Sequence, residues 1–467
     1  MQEQPTALRI PDPGIRELFS EAARLQSWLD VEAALAQAEA ELGVVPAGAA
    51  AEIVSKARLE LMDMAAIREG LRRTGHQLVP LVWELSRVCG DEAGGYVHWG
   101  ATTPNITQTG QLLRVQRAHA IFLRLLGSIL RTLADLADRS KEMLMPGRTH
   151  GQHALPITFG FKVAVWIDEL SRHVERLRGC EERVFVAMLG GGVGSLASLG
   201  EVGLAVQTRM AAILGLRPMS LPARTISDHL AEYVCLLGML AATSSKMARE
   251  IYELMKQEFG EAEEPVPEGT VGSSTMPQKR NPKLCEDIIA AAAELRGCVP
   301  LALEAMQTEH EADSITTVMM TRAIGEACSI CGDILQRLLV LFDGLQLFPD
   351  RMRQNLDLSG GLIMAEPLML ELGKQIGRQH AHDVIFEATQ ASAVSGRPFR
   401  DLLAEDARVS DRLSSAQIDA LLDPARYTGL CRQFAEQGAA QARAVAASIE
   451  AHLESGWAAR VSSAGSW

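Results

Sequence analysis

Aromatic side chains are scarce in this sequence, at 4% of 467 residues. With so little ring surface, the interior has to be filled by Leu, Ala, Val and Ile, which favours helix packing over a β-sandwich. No uncharged apolar run approaches the ~20 residues of a membrane span. The opening Met-Gln-Glu-Gln-Pro lacks a basic segment followed by an apolar stretch, so no signal peptide is expected. Net charge is −13 and no basic cluster dominates, which argues against a nucleic-acid partner. A soluble, cytoplasmic protein is expected. The eight cysteines are scattered through helical patterns and read as small buried hydrophobes. Cys328 and Cys331 form a C-x-x-C pair, but no second pair completes a zinc site. Neither a metal nor an organic cofactor is expected, since no ligand cluster or dinucleotide loop is present.

Three long segments carry sustained heptad spacing. Phe122, Leu126, Ile129, Leu133 and Leu136 form the first seam, and Val163, Ile167, Leu170, Val174 and Leu177 the second. Leu237, Leu240, Ser244, Met247, Ile251 and Leu254 form the third. Such seams pack near-parallel helices at shallow angles. They predict an all-α bundle whose apolar stripes exceed what one chain can bury, and so an oligomer. Gly- and Pro-bearing loops lie between the helices, at 94–104, 145–156, 190–200 and 261–282. Loops on a rigid scaffold are where chemistry usually sits. The division expected is an N-terminal helical domain over 1–110, a central long-helix bundle over 111–355 and a small helical domain over 356–467. The polar tail ending Ser-Ser-Ala-Gly-Ser-Trp is expected to be loose.

The most informative segment is Gly272-Ser-Ser-Thr-Met-Pro-Gln-Lys-Arg-Asn-Pro282. A glycine opens a loop that carries hydroxyls, a lysine, an arginine and an amide. Pro282 suits the first turn of the next helix, where no N–H is needed, and a helix N-terminus adds free backbone donors. The combination is an anion cradle with a base or nucleophile inside it. This segment closely resembles the signature loop of the fumarase/aspartase superfamily, which includes fumarase, aspartase, argininosuccinate lyase, adenylosuccinate lyase and 3-carboxy-cis,cis-muconate cycloisomerase. By that resemblance Ser273 is the catalytic base. Lys279 and Asn281 take the substrate-carboxylate and loop-anchoring positions, with Ser274 and Met276 beside them in the substrate site.

Two further segments carry the same resemblance. Gly147-Arg-Thr-His-Gly-Gln-His-Ala154 looks like the superfamily's Gly-Arg-Thr-His motif, which puts Arg148 and Thr149 at the substrate and His150 in a catalytic role. Histidine titrates near neutrality and can donate to a leaving group. Val97-His-Trp-Gly-Ala-Thr-Thr-Pro-Asn105 resembles the motif whose paired hydroxyls bind a substrate carboxylate, here Thr102 and Thr103. Asn105 replaces an acidic residue often found there, and its role stays open. His76 falls where adenylosuccinate lyases place a second catalytic histidine. Similarity over nearly the whole chain points to the branch of adenylosuccinate lyase and 3-carboxy-cis,cis-muconate cycloisomerase. It implies three helical domains with a central five-helix bundle. It also implies a homotetramer with a twenty-helix core and active sites shared between subunits.

Departures from the family narrow the substrate. Adenylosuccinate lyases carry Arg-Asp-Arg-His where this chain has Ser227-Asp-His-Leu230, and His-Glu-Arg-Asp where it has His310-Glu-Ala-Asp313. Arginine is the natural bidentate partner of phosphate and carboxylate, so these losses argue against a nucleotide. Muconate cycloisomerases carry Trp-Leu-Gln-His where this chain has His150-Gly-Gln-His153. The expectation is a small dicarboxylate substrate, a substituted succinate cleaved at a C–N bond to fumarate and an amine, ammonia or nitrite. The alternative is a 3-carboxy-cis,cis-muconate cycloisomerase, with adenylosuccinate lyase behind it. A structural protein that kept the fold is a poor third, because Ser273, Lys279, Asn281 and His150 are all present.

Overall fold

The computed structural model describes residues 9–266, 269 and 273–457; the polar tail and Gly272 of the signature loop lie outside the described residues. The architecture is all-α. Helix α1 (Glu21–Glu41) starts at Ser20, whose hydroxyl caps it by accepting from Ala23 N–H. Helix α2 (Thr103–Arg139) is the longest at 37 residues, a rise of about 55 Å at 1.5 Å per residue. A two-stranded hairpin follows, β1 (Leu144–Thr149) and β2 (Gln152–Thr158). Helices α3 (Phe159–Val184), α4 (Asp228–Leu254), α5 (Lys283–Glu304) and α6 (Ser314–Asp343) complete a central bundle with α2. The last helix, α7 (Cys431–His452), runs back along α2 and α3.

All three heptad seams are buried inside the single chain, every member 2% exposed or less. The expectation that these stripes exceed what one chain can cover is therefore corrected: α2, α3, α4 and α6 cover one another, and α7 closes the groove between α2 and α3. The apolar surface left in water is elsewhere, at Met239, Leu303, Met306, Ile315 and Val318. Two details also depart from the sequence reading. The segment 145–156 is a hairpin rather than a loop, and Pro282 is the N-cap of α5 rather than its first turn.

The domain division meets two structural facts. The boundary at 110/111 falls inside α2, and α7 belongs to the main core through Ala439, Ala442, Ala446 and Ile449. A separate small core, built on Leu368, Leu372, Phe399 and Leu403, lies within 356–467. Cys328 and Cys331 are fully buried thiols whose pKa burial pushes up, the inert condition expected of structural cysteines. Among the described residues, no helix is long and apolar enough to cross a membrane.

Candidate active site

The bundle has two ends, and each carries part of the expected site. At the first end α2 begins. Thr102 and Thr103 are half-buried, and Asn105 one turn in is fully buried. The Asn105 Oδ1 accepts from Thr102 N–H at 3.0 Å and from Gly191 N–H at 3.2 Å. The residue with the open role is thus a structural clamp, tying the threonine pair to the glycine-rich loop. A carboxylate there would accept the same two bonds; the amide does so without a buried charge.

His76 meets this end from another element. Its Nδ1 accepts from Leu78 N–H (3.3 Å) and Val79 N–H (3.2 Å), capping the helix Val79–Gly94. A nitrogen that accepts carries no proton, so the neutral ring holds its proton on Nε2. That atom lies 3.4 Å from Thr103 Oγ1. An imidazolium would need a proton on Nδ1 and would lose the cap, so His76 is poorly placed to be a general acid. In this arrangement it orients the Thr103 hydroxyl.

His98 lies in the same motif as the threonine pair. Its Nδ1 meets Glu32 Oε1 at 2.7 Å, and Glu32 is 2% exposed. Burial pulls the His98 pKa down, but the hydrogen bond and charge of Glu32 outweigh it and the pKa ends above its ordinary value. The backbone adds a second signal. Four described non-glycine residues have positive φ: His98, His150, Leu196 and His310. Three are histidines in motif loops, and such conformations are uncommon for branched or bulky side chains and cluster at functional sites. The partner of His98 is 66 residues away in sequence, beyond the reach of local reading.

At the other end the hairpin turns on His150 and Gly151, with φ of 53° and 75°. Thr149 pairs with Gln152, so the turn has two residues, both left-handed as a type I′ turn requires. The turn holds the exposed His150 imidazole out from the tip. Arg148, expected at the substrate, is instead committed to Glu261 through two bonds of 2.9 and 2.6 Å and stacks over the Phe259 ring at 4.9 Å. Glu261 is fully buried and also accepts from Asn355 at 2.7 Å. Arg148 therefore pins the hairpin to the start of the 261–282 segment.

Glu261 opens the 261–282 segment, whose last eleven residues are the signature loop. Glu264, buried, accepts from Leu284 and Cys285 N–H and so staples the loop's two ends together. Within it Ser273 Oγ accepts from Thr275 N–H at 3.3 Å and Met276 N–H at 3.1 Å. Two donors on one oxygen favour its deprotonated form. Ser274, Met276 and Lys279 are exposed and Asn281 is half-buried. Lys279 forms no ion pair among the described residues, while its neighbour Arg280 pairs with Glu263 at 3.1 Å.

These parts are not brought together in one chain. Thr102 and Thr103 stand at the start of α2, whereas the hairpin follows its end, about 55 Å along the axis. The segment that leads into the signature loop is tied to the hairpin through Arg148–Glu261. The chain thus presents a threonine half-site at one end and a serine–histidine half-site at the other.

Residues 7–297 match the Lyase family, and residues 361–437 match the Adenylosuccinate lyase C-terminus family. The chain belongs to the fumarase/aspartase superfamily of lyases. It is 40% identical over 417 residues to N-acetyl-S-(2-succino)cysteine lyase of Enterococcus italicus, covering 89% of this chain and 91% of that one. It is also 40% identical over 434 residues to 3-carboxy-cis,cis-muconate cycloisomerase of Pseudomonas aeruginosa, covering 92% and 95%. The solved fumarate lyase from Mesorhizobium sp. BNC1 superposes with a TM-score of 0.86 at 35% identity, covering 92% of this chain and 98% of that one.

Proposed function

We propose that this enzyme catalyses anti β-elimination from a small 2-substituted succinate, breaking a C–N bond to give fumarate and an amine, ammonia or nitrite. The observation that carries the reading is the pair of backbone N–H groups on Ser273 Oγ. As an alkoxide, Ser273 takes the proton next to one carboxylate, and the electron pair moves into that carboxylate as an aci-anion. Collapse forms the alkene and expels the β-substituent, which takes a proton from His150 if it leaves as an amine. Lys279 and Asn281 hold one carboxylate, and Thr102 and Thr103 the other.

A serine is a weak base, and the demand on its surroundings is large. Preorganised donors act fully only where water is excluded. In one chain residues 274–280 of the signature loop are exposed and the threonine pair is at the far end. The reading therefore includes a homotetramer in which one subunit's hairpin and serine loop close over another's threonine end. The exposed apolar residues Met239, Leu303, Ile315 and Val318 supply surface for such contacts.

Two observations favour specific variants of the chemistry. Similarity to a lyase of a succinated thiol supports sulfur as the leaving atom; a thiolate leaves without protonation, so His150 would matter less. Equal similarity to a cycloisomerase supports lactonisation. A panel of amino-, nitro- and thio-substituted succinates and 3-carboxy-cis,cis-muconate, read by fumarate release and lactone formation, decides among them. Lactone without fumarate from any succinate would overturn the elimination reading.

A further inference from the structure

A buried cation lies away from both half-sites. Arg114 is on α2, eleven residues beyond Thr103 or about 16 Å along the axis. It is 6% exposed, its Nε is buried without a hydrogen-bond partner, and no carboxylate pairs with it among the described residues. Its guanidinium stands over the Phe19 ring at 5.6 Å. The next cation along the same helix shows what is missing: Arg117 faces Asp30 of α1 at 3.6 Å.

What surrounds Arg114 makes the deficit sharper. The charge of a second arginine, Arg24, also acts on it, but Arg24 is exposed and has Glu21 as its own partner at 3.8 Å; the Cys328 thiol is neutral. Arg24 lies over the Trp28 ring at 5.4 Å, one turn apart on α1. Trp28 is 3% exposed, and its indole N–H is also buried without a partner. Trp28 sits against Gly110, where an added Cβ would come within 2.7 Å of the ring; Gly110 is one turn before Arg114 on the same face of α2. A buried arginine and an orphan indole donor therefore lie along the same stretch of the α1–α2 contact. Burying a cation without a counter-charge is costly, and a buried donor without an acceptor adds to that cost.

We propose that Arg114 and the indole N–H of Trp28 form a binding site for a small carboxylate anion of formate to acetate size, with the Glu21-paired Arg24 at its rim. The arginine fork matches the two carboxylate oxygens, and the indole supplies a further donor. The site is separate from the elimination chemistry and does not depend on it.

The test is thermal unfolding of the full-length protein in formate, acetate or chloride, at ionic strength held constant with a bulky sulfonate. Formate should raise the melting temperature of the wild type by several degrees in a saturable way. Arg114→Met, similar in bulk but uncharged, should abolish the shift while activity in the sulfonate medium stays within about twofold of wild type. Trp28→Phe keeps the ring and loses the donor; it should weaken the apparent formate affinity by about tenfold and keeps the proposal testable if Arg114→Met fails to fold. Chloride matching formate mole for mole would overturn the carboxylate assignment. Equal shifts in wild type and both variants, or no shift in wild type, would overturn the site.

Discussion

The two ends of the bundle differ in how much of their geometry is already built. At the threonine end, Asn105 clamps two loops, His76 orients Thr103, and buried Glu32 fixes His98. At the serine end the supports are equally firm, Glu261 holding Arg148 and Glu264 stapling the loop, but His150, Ser274 and Lys279 stand in solvent and Ser273 is only half-buried. Preorganised polar groups next to open ones are what a site needs if its other wall comes from a second molecule. The half that binds a carboxylate can be rigid beforehand, while the half that removes a proton must wait to be covered before its base is strong.

The sharpest way to break this comparison is Ser273→Ala. If the serine end supplies the base, kcat should fall by about three powers of ten or more with KM nearly unchanged, because the group acts in the transition state. Activity within tenfold of wild type would remove Ser273 from the mechanism. The next largest effect concerns the division itself. Thr103→Val and Ser273→Ala damage opposite ends, so mixing the two inactive proteins and allowing subunit exchange should raise activity about tenfold or more over either parent. A mixture no more active than its parents would refute the shared site, as would a fully active monomer by light scattering.

Arg148→Met probes the support rather than the chemistry. It leaves Glu261 buried without its cation, and a loss of about 3 kcal/mol in unfolding free energy is expected. If stability is kept and only KM rises, Arg148 touches substrate after all. A smaller effect belongs to Glu39 on α1, which is fully buried with both oxygens unpartnered. Burial and the nearby Glu32 charge push its pKa up from 4.5 to about 8. The folded protein then holds a proton that the unfolded chain releases, so stability falls as pH rises from about 4.5 to 8 and levels off above. Glu39→Gln should be neutral near pH 5 and stabilising by on the order of 2 kcal/mol at pH 8.5. A pH-independent difference in denaturant melts would show that the carboxyl is ionised and paired in solution.

Much of this was legible in the sequence where the signal was local. The heptad seams marked three long helices, and the motif loops marked the segments that carry Thr102, His150 and Ser273. The hairpin was missed because Met145, Pro146 and Pro156 read as loop residues; the turn signal was the His150–Gly151 pair, which only becomes telling once both are left-handed. What stayed hidden depends on distant partners. Arg148 finds Glu261 113 residues on, and His98 finds Glu32 66 residues back. The seams by themselves do not say what covers them, since their spacing is the same whether the facing helix belongs to the same chain or to another. Only burial distinguishes the two, and burial is set by the whole packing of α2 to α7.

His76 offers the finest cut between building a site and working in it. Asn at this position keeps an acceptor where Nδ1 stands, so Leu78 and Val79 N–H stay capped, but it loses the reach to Thr103. Gln reaches Thr103 and loses the cap. If the ring orients a carboxylate-binding hydroxyl, His76→Asn should raise KM by about three- to tenfold, leave kcat nearly intact and keep both limbs of the pH–rate profile. His76→Gln should instead cost about 1 kcal/mol of stability, with a smaller KM change. A general acid behaves differently: its removal lowers kcat and erases one limb of the profile, the outcome expected here for His150→Asn with an amine-releasing substrate. Losing that limb in His76→Asn would mean that Nδ1 gives up its backbone bonds in the closed site, and the threonine end would then be less finished than its hydrogen bonds indicate.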